Sequence, residues 1–163
     1  RQLVNTLAGL RIDCLQGRGV KVLEVSLYDL TIDLLKAREG SDEGINLWEQ
    51  IRAVEPDVEK EALLELLQGV LDIKEHLIPA IGERIAQADY DVLFLSGIGE
   101  VFPYIRSHHV LNNLQSTAKD KPTVMFFPGE YRHSLEQGAS LELFGLLHDD
   151  KYYRAFNIFE SQV

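Results

Sequence analysis

Residues 91–127 read DVLFLSGIGEVFPYIRSHHVLNNLQSTAKDKPTVMFF, and this stretch decides the fold class. Residues 92–95 form a short, wholly apolar run, as expected of a strand that is buried on both faces. A glycine turn and a proline then open a predicted helix over residues 103–117, and residues 123–127 form a second buried strand. Strands that alternate with helices in this way favour a mostly parallel sheet with helices on both faces.

The rest of the chain extends this alternation in both directions. We predict a helix over residues 2–15, a strand over 20–27, a short helix over 29–37 and a charged loop over 38–44, which is the best candidate for a mobile segment. A helical region of three segments, over residues 47–54, 55–70 and 74–88, and a last strand over 155–159 complete the prediction. Within the helical region, Glu55-Pro56-Asp57 is typical of a helix start, and Pro79 lies in a first turn or a kink.

These elements predict an α/β fold, a Rossmann-like three-layer domain with a mostly parallel sheet. A chain of 163 residues is of the size of one domain, so we expect a single domain over residues 1–163. The sequence begins at Arg1 rather than at methionine. We therefore expect an amino-terminal segment to be absent, and with it a further strand of the same sheet.

The composition narrows the class of function. With 16 basic and 26 acidic side chains, the net charge is −10. The chain has no basic run that would neutralise phosphates, so we do not expect it to bind nucleic acid alone. Its single cysteine, Cys14, excludes an intrachain disulfide and a four-cysteine zinc site, and fits a cytoplasmic location. No apolar run is long enough for a bilayer and no signal peptide is recognisable, so membrane insertion is not expected.

Gly97 and Gly99 stand between the first buried strand and the predicted helix, where phosphate-binding loops also lie. The dinucleotide fingerprint requires a third glycine at the position that Phe102 occupies, and the chain has no Walker lysine. Pro103 also removes one backbone donor from the predicted helix start. A tight structural turn is therefore favoured over nucleotide binding, and no cofactor is predicted.

Polar side chains of the predicted helix are candidates for contacts with a ligand or a partner. Arg106 is expected near the strand ends, where it either pairs with Glu100 or Glu130 or reaches an anion, and the internal pair is favoured. Asn113 and His109 belong to the same set. His108 and His109 are adjacent and project about 100° apart, so they are not expected to chelate one metal ion, and no metal site is predicted.

Glu130 and Tyr131 follow the second buried strand in the sequence Pro128-Gly129-Glu130-Tyr131. The proline and glycine predict a sharp turn that ends the strand. Glu130 would then lie where many α/β enzymes hold a catalytic acid, but no nucleophile, second carboxylate or metal motif adjoins it. A structural turn, with Glu130 paired to Arg106 or Arg132, is favoured over catalysis.

Tyr153 and Arg154 end a charged, tyrosine-containing segment, residues 149–154, that precedes the last predicted strand. Two acids, two tyrosines and two basic residues suit a loop that binds a peptide or a protein. They suit equally a loop whose tyrosines cover the edge of the sheet. Both interpretations stay open at this point.

Three segments together resemble the BrxB family of bacteriophage exclusion (BREX) defence systems. They are GIGEVFPYIRSHHVLNNL, PTVMFFPGEY and SLELFGLLHDDKYYRAFNI, at residues 97–114, 122–131 and 140–158. The similarity is specific over residues 91–158, whereas residues 1–90 agree only in their layout. The family layout also implies the additional strand before Arg1.

The resemblance implies a role beside a modification methyltransferase, a large ATPase and an alkaline-phosphatase-like protein, with no enzymatic activity in this component. It supplies no catalytic set, so Gly97, Gly99, Arg106, Glu130 and Arg154 carry over only as motif positions. We therefore expect a non-catalytic adaptor that binds other BREX proteins. The acidic helical region around Trp48 and residues 58–88 would suit docking to a basic partner.

Two other functions remain as alternatives. One is a nucleotide-binding, anion-binding or hydrolytic α/β domain that uses the loops at residues 96–106 and 128–133. The other is DNA contact within an assembly, which requires Arg106, Arg132, Lys151 and Arg154 to share one face.

Overall fold

The described part of the chain comprises residues 12–41, 44–134, 138–143, 147–148 and 157–158 of a computed structural model, with the backbone alone over residues 131–148. Residues 12–16 are helical. Strands and helices then follow in the order β1 Val22–Ser26, α1 Leu27–Lys36, α2 Leu47–Val54, α3 Lys60–Val70, α4 Ile78–Gln87, β2 Val92–Ser96, α5 Ser107–Leu114, β3 Thr123–Met125, β4 Gly129–Ser134, β5 Gly138–Leu143 and β6 Leu147–His148.

A parallel sheet with the strand order β1–β2–β3 forms the centre of the fold. In its register, Val25 is aligned with Leu95, and Leu95 with Met125. All five residues of β2 are buried, as a central strand with both faces covered requires. The predicted α/β fold with its parallel sheet is confirmed.

The main core lies between one face of this sheet and the helices α1, α4 and α5. Val25 and Leu95 of the sheet are completely buried there, together with Ile81 of α4 and Val110 of α5. Two right-handed connections that step across a sheet in the same direction place their helices on the same face, which is the arrangement found here. The crossovers between successive strands thus supply the layer that covers this face.

A second, smaller core joins the helical region to the rest of the chain. Its buried members are Leu35 at the end of α1, Ile51 of α2 and Leu71 just after α3. Trp48 packs against this cluster, and Tyr104 contacts both cores. The helices α2 and α3 therefore rest on the outer end of α1 rather than on the sheet.

Charged and aromatic side chains join the amino-terminal ends of the three parallel strands. The backbone N–H of Lys21 donates to Asp91 Oδ2 at 2.7 Å, and the Lys21 ammonium pairs with Asp89. Lys121 donates to the carbonyl oxygen of Tyr90, and its Nζ lies 4.1 Å from the centre of the Tyr90 ring. These contacts connect the residues that precede β1, β2 and β3.

The same contacts shift the protonation of the groups involved. Burial, with a smaller effect of the Asp120 charge, raises the pKa of the Tyr90 phenol above its ordinary value of 10.0. The hydrogen bond from Lys21, and then its charge, lowers the pKa of the Asp89 carboxyl. Tyr90 is only 5% exposed. Folding therefore removes water from its phenol and disfavours the charged, deprotonated form.

Several predicted boundaries are wrong. The helix predicted over residues 103–117 begins only at Ser107, because residues 98–105 fold back into the core as a series of turns. Glu55–Asp57 forms a 3₁₀ turn that continues α2, and extended Val58 separates it from α3. Pro79 lies in the first turn of α4, after a π-helical turn at Ile73–Leu77, as one of its two predicted positions requires.

The carboxyl-terminal third also differs from the prediction. The second strand, predicted as buried over residues 123–127, ends at Met125 and is only partly buried. Strands β4, β5 and β6 form a separate antiparallel sheet that the sequence analysis did not predict. Of the last strand predicted over residues 155–159, Asn157 and Ile158 are described, and neither belongs to a strand. Most of the helix predicted over residues 2–15 lies outside the described residues.

The charged loop predicted over residues 38–44 is held by hydrogen bonds in its described part. The N–H of Gly40 donates to the carbonyl of Ile45 at 2.8 Å. Ser41 and Gln50 exchange two hydrogen bonds, from the Ser41 N–H to Gln50 Oε1 at 2.8 Å and from Gln50 Nε2 to Ser41 Oγ at 3.0 Å. These contacts tie the loop to α2.

Replacing Tyr90 with phenylalanine is expected to reduce the loss of stability at alkaline pH. Since folding raises the pKa of this phenol above 10.0, its stabilising effect is complete below 10.0 and is lost as the pH rises from there through the raised pKa of the folded state. Urea unfolding across this range measures the effect. Tyr90→Phe should decline less steeply than the wild type, whereas Tyr28→Phe, at an exposed position, should follow it. Parallel curves for Tyr90→Phe and the wild type would contradict the assignment.

Candidate functional site

The carboxyl-terminal ends of β1 and β2 lie side by side, with Ser26 aligned to Ser96. Ser26 caps α1, because its Oγ accepts from the Asp29 N–H at 3.3 Å. Gly97 follows β2 with a φ of +78°, and a Cβ at this position would lie 3.0 Å from the Tyr28 nitrogen. Only glycine allows the chain to turn this closely against the start of α1.

The residues after Gly97 fill the core instead of lining a ligand site. Ile98, Val101 and Ile105 are at most 2% exposed, and Gly99 between them is buried. The N–H groups of residues 100 and 101 donate to the carbonyl of Gly97, at 3.0 and 3.3 Å. The two amides that follow the glycine turn therefore bond within the loop, and the turn does not open directly onto a helix.

The strand order gives a second reason against a nucleotide site at this edge. In open α/β sheets, ligands bind where the strand order reverses, since adjacent loops then diverge to opposite faces. Within the described strands the order β1–β2–β3 runs in one direction. The geometry of this part of the chain thus favours the structural interpretation of Gly97 and Gly99.

A polar pair that the sequence analysis missed lies across the two strands. The hydroxyl of Ser96, a residue only 4% exposed, donates to Glu24 Oε1 at 3.0 Å. The two residues are far apart in sequence, so only the parallel register brings them together. A serine nucleophile requires an adjacent base that takes its proton. The simpler role of this contact is structural, because the Glu24 carboxylate supplies the acceptor that the buried Ser96 hydroxyl needs.

Arg106 occupies the N-cap position of α5, and its side chain is exposed. Its carbonyl accepts from the N–H groups of His109 and Val110, at 3.1 and 3.2 Å. Among the side chains that the structure describes, the ion pairs are Lys21–Asp89 and Arg84–Asp33. The internal ion pair expected for Arg106 is therefore not found there, because the extended backbone before α5 leaves this side chain in solvent.

The polar residues of α5 contact one another. The ring centres of His108 and His109 are 4.1 Å apart, with the rings inclined by 67°. His108 is buried and His109 is exposed. The Asn113 amide donates to the His109 carbonyl at 2.8 Å, a local contact one helical turn away. No group of three histidine, cysteine or acidic side chains within the described ranges is placed to hold a metal ion.

Glu130 and Tyr131 lie in a strand rather than in the predicted turn. Both belong to β4, which pairs with β5 so that Glu130 faces Glu142 and Tyr131 faces Leu141. The chain does bend at Pro128, where the Gly129 N–H donates to the Phe127 carbonyl at 3.1 Å. However, antiparallel pairing extends the backbone from Gly129 onwards, so the prediction is wrong for Glu130 and Tyr131. Tyr153 and Arg154 lie outside the described residues, and so do the side chains of Arg132 and Lys151.

The acidic helical region has an unusual surface. The helix α3 contains no buried residue, although five of its eleven residues are leucine or valine. Leu66 of α3 is 38% exposed, and Val54 of α2 and Ile45 before it are each 40% exposed. Each of these three large apolar side chains is thus more than one third exposed. No helix within the described ranges has the length and hydropathy to span a membrane.

The family model and two relatives that match this chain share one description. The family model described as BREX protein BrxB matches residues 23–158. A BREX protein BrxB of Bacillus cereus (strain H3081.97) is 33% identical over 143 residues, which cover 86% of this chain and 67% of the relative. A BREX protein BrxB of Escherichia coli O9:H4 (strain HS) is 28% identical over 134 residues, which cover 82% of this chain and 60% of the relative. The chain thus spans about two thirds or less of each relative. No solved structure is a significant match.

Replacing Gly97 with alanine is expected to destabilise the fold by about 1–3 kcal/mol, because the residue has a left-handed backbone and its Cβ would press on the start of α1. Gly69→Ala is the matched control, since a Cβ in this exposed part of α3 meets nothing within 4 Å. That change should stabilise the chain by about 0.5–1 kcal/mol. Denaturant unfolding measures both, and equal tolerance of the two substitutions would contradict the structural role of Gly97.

Proposed function

We propose, from the premise that this chain belongs to the BrxB family, that it serves BREX defence as a non-catalytic adaptor that binds other proteins of the system. The family match over residues 23–158 and both relatives support the assignment to this system. The adaptor role is our own inference from the surface and the loops of the fold.

The observation that carries the proposal is that the loop after β2 packs into the core of the protein. In an α/β enzyme, the loops at the carboxyl ends of the strands present polar groups to a substrate. Here the loop presents Ile98, Val101 and Ile105 to the core of the protein itself. The family-motif glycines therefore serve packing, and the helical region provides the surface that is available for contacts.

We infer that the partners are the alkaline-phosphatase-like protein, the large ATPase and the methyltransferase of the same system. An adaptor must bind at least one of them without covalent chemistry. The net charge of −10 favours partners with a basic contact surface, because charge complementarity accelerates association and selects between partners. The single cysteine agrees with action in the cytoplasm.

A tagged form of the chain is expected to retain at least one of these three proteins when each is co-expressed with it from the same BREX system. Size-exclusion chromatography of the eluate checks that the complex is stoichiometric. A tagged acidic protein of similar size and charge is the control for non-specific capture. If the chain retains none of the three, singly or together, the adaptor proposal fails.

Thermal unfolding with saturating nucleotides and divalent metal ions tests the ligand-binding alternative. A ligand that binds only the folded state raises the melting temperature, by an amount that grows with its concentration relative to Kd. We expect no shift with either panel. A saturable shift that Arg106→Ala removes would favour an anion site beside the loop at residues 96–106 and would count against the purely adaptor role.

A further inference from the structure

The helix α3 has an apolar arc that is wider than the surface the fold covers. At about 100° per residue, Leu63, Leu67 and Val70 fall within one narrow stripe, and all three pack against the second core. Ala62 and Leu66 extend the apolar arc beyond one edge of this stripe. Such a broad arc is typical of a helix that packs against two apolar surfaces. Within the described residues, α3 packs against one such surface, the second core.

The exposure of α3 agrees with this geometry. The other helices that form the two cores each bury at least one residue, whereas α3 buries none. Arg38 fixes the carboxyl-terminal end of α3, because its guanidinium donates to the carbonyl of Val70. The helix is thus held at one end and along one stripe, and Leu66 remains 38% exposed beside that stripe.

Acidic side chains lie along one side of this apolar surface, opposite the stripe that packs against the second core. Glu61 and Glu65 are exposed on α3 itself, and three more exposed acids lie in the segment that precedes it, at Glu55, Asp57 and Glu59. The basic residues nearby in the sequence are Arg52 and Lys60. A second copy of this chain would bring two such acidic margins together, and like charges across an interface oppose association.

We propose that the face of α3 formed by Ala62, Leu66 and the exposed edge of its leucine stripe, with Glu61 and Glu65 at its margin, docks a basic amphipathic helix of a partner protein. Apolar residues spaced four apart on α3 form a ridge that suits helix packing, with the partner's leucines at i, i+3, i+4 and i+7 as anchors. Lysines and arginines on the flanks of the partner helix meet the acidic margin. This assignment rests on the proposed adaptor function and names the surface that it uses.

A synthetic peptide tests the proposal without any other BREX protein. The probe is an amphipathic helix with leucines on one face and lysines and arginines elsewhere, and its binding to the full chain is followed by fluorescence anisotropy. Leu66→Asp should weaken binding at least about tenfold, or about 1.4 kcal/mol. This change adds negative charge, so it would strengthen a contact that is purely electrostatic. The double variant Glu61→Lys, Glu65→Lys should also weaken binding and reduce its dependence on salt.

Three controls make the result decisive. Tyr28→Asp, at a residue of α1 that is 40% exposed, should leave binding unchanged. A peptide of the same composition in scrambled order, and a glutamate version with the same leucine face, should bind at least about tenfold more weakly. Circular dichroism checks that each variant is folded, and Leu66→Ala replaces Leu66→Asp if the latter is not.

Defined outcomes overturn the proposal. They are failure of the basic peptide to bind the wild type, equal binding of the scrambled or acidic peptide, and equal binding to the Leu66 variant. A dimer that Leu66→Asp dissociates in sedimentation would assign the face to a second copy instead. If a BREX protein is retained in the co-expression experiment while the peptide result is negative, the adaptor function stands and its surface lies elsewhere.

Discussion

The complete burial of β2 is the constraint on which the rest of the structure depends. A strand with no exposed position needs a hydrogen-bonded neighbour on each edge and apolar cover on each face, because its backbone groups and side chains have no access to water. The parallel neighbours β1 and β3 supply the edges, and parallel pairing requires long crossovers. Those crossovers bring α1, α4 and α5 onto the sheet, so the main core follows from the apolar run at residues 92–95.

The sequence predicted the parts of the fold that depend on local patterns. The apolar run of β2 and the alternation of strands with helices were sufficient to identify the sheet. The start of α5 was mispredicted because Pro103 is typical of a first helical turn, whereas the burial of Val101 and Ile105 keeps the chain in turns until Ser107. Long-range packing here prevails over a local preference.

The candidate site was less predictable for the same physical reason. The contact between Ser96 and Glu24 exists because two strands align in register, and no local signal marks either residue as a partner of the other. For Gly97 a local signal exists but is ambiguous, because a glycine after a strand suits both a phosphate-binding loop and a close approach of two backbone segments. Its distance to the start of α1 supports the second explanation. Family motifs at such positions identify a relative without identifying a reaction.

The separation into two cores has a consequence for the way this protein changes. The sheet and its helices hold together through the main core, while α3 is attached through the smaller core and the contact of Arg38 with Val70. Substitutions along the outer side of α3 touch neither the sheet nor β2. Substitutions at these positions therefore cost little in folding stability, and α3 can open locally while the sheet stays intact. The outer side of α3 and the sheet are therefore constrained by two separate sets of packing contacts.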